Sequence, residues 1–165
     1  QWEQADLGTR LTASGAFSLS EQLTARFVTD GAPIASIQSP QTFSVGDYTC
    51  TLTKLAITFA RLEYEMTVTR SGDVSAAAAF EAGEPSLDFK LTLPEGQAFA
   101  QSTSVSMQTD GSLLLSGVYT LTQPAESVTF TPILPDHLTE ENNWMADDYE
   151  PTEEERGMAF TVEVH

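Results

Sequence analysis

Cys50 is the only cysteine among 165 residues, so no internal disulfide can staple the chain. Basic residues are also scarce: 7 Lys and Arg stand against 24 Asp and Glu, a formal charge of −17. Nothing in that balance could neutralise a polynucleotide backbone or an anionic headgroup layer, which excludes nucleic acid and anionic membrane surfaces as partners. Long apolar runs are missing, and no stretch reaches the roughly 18 residues that would cross a bilayer. His137 and His165 are the only histidines. With Cys50 they are too few and too far apart in sequence for a zinc site. No Gly-x-Ser-x-Gly turn occurs and no base lies beside a nucleophile, so the chain is expected not to be an enzyme. Carboxylate pairs of the glycosidase kind arise by chance among 24 acids and carry no weight.

What is present is a folding chain. Hydrophobic residues make up 41% and aromatics 9%, too apolar for a disordered acidic tail. The length suits one domain over residues 1–165. From Phe43 onward the apolar residues recur with a period of two, the strand signature. Gly46-Asp47, Ser71-Gly72-Asp73, Pro94-Glu95-Gly96 and Asp110-Gly111 punctuate the runs as turns. The alternation slips phase at Thr53-Lys54 and again at Ala60-Arg61, which predicts bulges or corners where a strand changes sheet. Leu87 to Leu93, Leu113 to Leu121, Val128-Phe130 and Met158-Val164 continue the strands, with Pro132 and Pro135 ending the third of these. Val105 and Met107 predict a short strand, and four alanines at residues 76–79 fit an edge strand or one helical turn. Residues 18–28 fit either a strand or a helix opened by a Ser18-x-x-Glu21 capping box. The expected fold is all-β: a two-sheet antiparallel β-sandwich of immunoglobulin-like architecture, with room for one short helix.

Residues 136–156 stand apart. They hold nine acids and one Arg, against fifteen acids and six bases elsewhere, and read as an acidic surface loop between the last two strands. Trp144 and Tyr149 lie in it beside Asn142 and Asn143. An aromatic face next to amides and carboxylates suits a sugar ring, so these four residues are the candidate ligand-binding set. Asp147, Asp148 and Glu150 are the candidate metal ligands, with Ca²⁺ the cation their oxygens suit, although EF-hand spacing is absent. No other cofactor is expected. Cys50 lies on an apolar strand face and reads as a buried small hydrophobe.

The stretch from Gly46 to Thr58, followed by Leu62-Glu63-Tyr64-Glu65-Met66-Thr67-Val68, is a turn, a strand with a corner and a second alternating strand. It resembles the extracellular β-sandwich domains of Firmicutes membrane-anchored, anti-sigma-factor-like proteins of unknown function. The resemblance implies an extracytoplasmic location, an anchor upstream of Gln1, and a sensing or binding role toward an extracellular ligand or protein. The scarcity of Cys and Lys beside abundant Thr and Ser agrees with that location. The expected function is a non-catalytic binding module, monomeric because like-charged copies repel. A carbohydrate-binding module, with or without Ca²⁺, and a structural spacer of a surface protein are the alternatives.

Overall fold

A computed structural model describes residues 33–137 and 149–165. The chain runs β1 (Ala35–Ser36), β2 (Gln41–Val45), β3 (Tyr48–Ile57), β4 (Arg61–Arg70), α1 (Ala76–Glu81), β5 (Asp88–Thr92), β6 (Ala98–Met107), β7 (Leu113–Leu121) and β8 (Ser127–Ile133). A 3₁₀ turn (Pro135–His137), α2 (Glu153–Gly157) and β9 (Phe160–Glu163) complete it. All pairings are antiparallel. The larger sheet has the order β1-β3-β4-β7-β6, with β2 also on β3, and the smaller is β5-β8-β9. The two sheets pack as the expected sandwich. Among the described residues no helix is long and apolar enough to cross a membrane.

Alternation drives the layering. Along β4, Leu62, Tyr64, Met66 and Val68 are buried while Glu63, Glu65 and Thr67 face outward. Aromatic rings join the sheets. Phe43 of β2 stacks on Phe160 of β9 at 3.8 Å between centroids, and Phe160 stacks on Phe130 of β8 at 5.4 Å. Tyr64 of β4 meets Phe130 edge-on at 5.4 Å. These contacts set β9 above β2 and β8 above β4.

The turn at Gly46 is a two-residue hairpin in which Val45 pairs with Tyr48, and Gly46 takes a φ of 54° that a side chain would resist. Asp110-Gly111 lies in the longer hairpin loop that joins β6 to β7, closed by Gln108 N–H donating to the Ser112 carbonyl at 2.9 Å. The phase slip at Thr53-Lys54 is a bulge in the β3–β4 ladder, and β3 stays in its sheet through it. The slip at Ala60-Arg61 is neither bulge nor corner. It is the hairpin turn between β3 and β4, where Thr58 N–H donates to the Arg61 carbonyl at 2.8 Å. Its lack of Gly and Pro disguises it in the sequence. The alanine run is helical: the Ser75 hydroxyl caps α1 by accepting from Ala78 N–H at 3.2 Å, and Ala76, Ala77 and Ala79 are buried. Pro132 does not end β8 but sits within it, opposite Phe89. The strand at Val105 and Met107 is longer than expected and begins at Ala98. The strand-or-helix choice at residues 18–28 lies outside the described residues.

Gly117 of β7 faces the core with no room for a side chain, since a Cβ there would collide with the rings of Tyr64 and Tyr119. Gly117→Ala is expected to lower stability by about 1–3 kcal/mol through overpacking, read from the midpoint of urea unfolding.

Candidate functional site

The acidic segment is organised around one carboxylate. Thr152 caps α2, its hydroxyl accepting from Glu155 N–H at 3.2 Å. Glu155 returns the bond, its Oε2 accepting from Thr152 N–H at 2.8 Å, which completes a capping box. An acid at this position in the first turn is usually half in water. Here the Glu155 side chain is 0% exposed. Its Oε1 also accepts from Leu134 N–H at 2.9 Å and from His137 Nδ1 at 2.9 Å. The Tyr149 hydroxyl lies 3.1 Å from Oε1 and 3.0 Å from Oε2 and donates between them.

Burial alone would push the Glu155 carboxyl upward. The backbone N–H groups of Thr152 and Leu134, then His137 and Tyr149, outweigh it and bring the pKa down to about 2. The group is therefore ionised at neutral pH with both oxygens occupied. It suits neither general-base nor nucleophilic chemistry, because such work needs a free lone pair and a pKa near the working pH. What it can do is hold position. Leu134 and His137 lie where the acidic segment leaves β8, and Tyr149 and Thr152 where it returns, so both stems end on one carboxylate. Lys90 of β5 adds a tie from the small sheet, its Nζ donating to the Tyr149 carbonyl at 2.6 Å. Arg156 donates to the Pro151 carbonyl on the returning stem.

Of the candidate ligand-binding residues, Tyr149 lies in this cluster. It is partly buried, and burial followed by its bond to Glu155 raises its hydroxyl to about 12. Trp144, Asn142 and Asn143 lie outside the described residues. So do Asp147 and Asp148 of the candidate metal set, while Glu150 is exposed on the returning stem. Among the described residues no group of three or more His, Cys, Asp and Glu side chains is arranged to hold a metal ion. Cys50 is fully buried and burial raises its thiol to about 12, the inert small hydrophobe that its strand position suggests.

Sequence reasoning placed Glu155 among solvated acids. The signal that distinguishes it is Thr152-x-x-Glu155 after Pro151, a capping box in an otherwise featureless acidic run. The long-range donors Leu134 and His137 have no sequence signature.

Because the folded-state pKa lies below the ordinary carboxylate value, the stabilisation from Glu155 is fully present above about pH 4.5 and is lost as pH falls toward 2. Glu155→Gln keeps the volume but removes the charge and presents an N–H to other donors. It is expected to cost about 3–5 kcal/mol at pH 7 and to flatten the fall in melting temperature between pH 4.5 and 2.5. A variant that melts with the parent at pH 7 contradicts the clamp. No family model, curated protein or solved structure matches this chain.

Proposed function

We propose that the chain is a non-catalytic extracytoplasmic sensing or binding module of a bacterial membrane-anchored or surface protein. In this reading the acidic segment 136–156 meets an extracellular ligand or protein, with Trp144 and Tyr149 as contact aromatics. The observation that supports it most is the Glu155 cluster. A sandwich has no need to bury an ionised carboxylate for its own core, and apolar packing of equal volume is often as stable. Committing four hydrogen-bond donors to one carboxylate that fixes both stems of one surface segment fits a scaffold that presents that segment to a partner. The saturated carboxylate also agrees with recognition rather than proton transfer. Scarce cysteine and lysine remain the support for the location, and Ca²⁺-assisted sugar binding remains the second reading of the same aromatics.

The test is a fluorescence titration of a Trp2→Phe background, in which Trp144 is the only tryptophan, with an oligosaccharide panel, Ca²⁺ and extracellular protein fractions. Saturable binding weakened at least about tenfold by Tyr149→Phe, in a protein that still folds, supports recognition by the clamped segment. A response to sugar only in the presence of Ca²⁺ moves the assignment to the carbohydrate module. Binding to none of these probes favours the spacer.

A further inference from the structure

The two sheets do not match in width. Across the larger one lie five strand positions, β1 and β2 sharing the first, followed by β3, β4, β7 and β6. The smaller has three strands, and the ring contacts set β9 over β2 and β8 over β4. Three strands cannot cover five positions, and the described residues leave most of the inner face of β6 open. The side chains agree. Directly opposed residues of an antiparallel pair share a face. Buried Leu113 and Leu115 therefore place Met107 and Val105 on the inner face, and Gly117 places Thr103 there. Yet Met107 is 51% exposed, Thr103 is exposed and Val105 only partly covered. The inner face of β6 overhangs the sandwich.

The neighbouring edge is equipped for one more strand. Among the described residues β5 pairs only with β8. Phe89 stands opposite Pro132, which has no N–H, and its own amide donates to Asp88 Oδ1 at 2.8 Å, so it points away from β8. The period of two puts the Leu91 amide on the same outer edge. Between this edge and the start of β6 lies an open groove of about 310 Å³, lined by Lys90, Leu91, Leu93, Gln97, Ala98 and Phe99, with the Lys90 ammonium engaged by the Tyr149 carbonyl. Beyond the Pro94–Gly96 turn the surface continues into a recess of about 420 Å³ bearing Glu95, Glu126 and Glu163. β6 itself carries no charge and no proline, the devices that normally keep foreign strands off an edge.

We propose that the seam between β5 and β6 accepts an extended segment of a partner protein, which adds to the outer edge of β5 as a fourth strand and covers the inner face of β6. The segment alternates apolar and hydroxyl side chains and carries Lys or Arg at the end that meets Glu95, Glu126 and Glu163. Main-chain bonds to β5 supply affinity, Thr103, Val105 and Met107 supply the surface for alternate side chains, and the recess sets direction. A charge of −17 favours a basic partner and opposes a second copy of this chain. Apart from Lys90, whose Nζ donates to the Tyr149 carbonyl, the lining shares no residue with the Glu155 cluster, so the proposal stands whether or not the acidic segment binds anything.

The probe is a labelled peptide of alternating Val and Thr ended by two Lys, titrated against the full chain by anisotropy, with the same peptide ended by two Glu as control. The Lys-ended peptide is expected to bind at least about tenfold tighter than the control, and Glu95→Gln/Glu126→Gln/Glu163→Gln to abolish that preference. Thr103→Lys, an exposed change, is expected to weaken the Lys-ended peptide by at least about tenfold with the melting temperature unchanged. Amide exchange of Leu91 should slow on peptide addition. The proposal is overturned if neither peptide binds, or if Thr103→Lys binds as the parent does. It is equally overturned if Leu91 is already protected in the free monomer, meaning the chain's own residues fill the seam, or becomes protected with protein concentration, meaning a second copy does.

Discussion

An ionised carboxylate can be buried only if its lone pairs are met, because leaving it bare in a low-dielectric interior costs several kcal/mol. Glu155 satisfies that condition with donors drawn from four residues on two separate stretches of chain. The constraint runs outward from there. Leu134 and His137 must follow β8 in a tight turn, Thr152 must cap α2, and Tyr149 must lie across the small sheet where Lys90 can reach its carbonyl. The acidic segment therefore starts and finishes at one point. The functional reading of that segment depends on this more than on its charge.

The sandwich beneath supplies the rigidity. The stacked column Phe43, Phe160 and Phe130 crosses between the sheets, and Tyr64 and Phe89 brace Phe130 edge-on. Such ring pairs add to area burial because their quadrupoles favour offset and edge geometries. The column also fixes how the sheets overlap. With β9 held against β2 and β8 against β4, three strands face five positions and most of the inner face of β6 stays exposed. The overhang is thus a consequence of the core's own packing.

How much of this the sequence reveals follows from which residues are half-buried. Where one face meets the core and the other meets water, the period of two is plain, and β3, β4, β5 and β7 could be read from it, as could the hairpins at Gly46-Asp47 and Asp110-Gly111. The bulge at Thr53 showed as a phase slip because a bulge rotates every later side chain. The same slip at Ala60-Arg61 hid a hairpin, since Thr58, Phe59 and Ala60 carry no turn chemistry. β6 was seen only at its end, because a strand exposed along most of both faces has little reason to alternate, and its Ser and Thr carry no phase. The alanines of α1 sit too close to Gly72 and Gly83 for propensity to decide, and burial against the core settles them as helix. Glu155 was the largest omission at the site: beyond its capping-box spacing from Thr152, what sets it apart from the other acids is the pair of donors at Leu134 and His137, far off in sequence. The candidate aromatics and amides around Trp144 lie outside the described residues, and Tyr149 was recognised as an aromatic but not as a donor to a buried acid.

The most direct measurement of this arrangement is the titration of the Glu155 side-chain carboxyl carbon by NMR in the full chain. The clamp predicts a resonance that stays in the ionised position from pH 7 down past 4 and moves only near pH 2. A midpoint at the ordinary carboxylate value of about 4.5 would show a solvated acid and contradict the clamp, and with it the fixed stems.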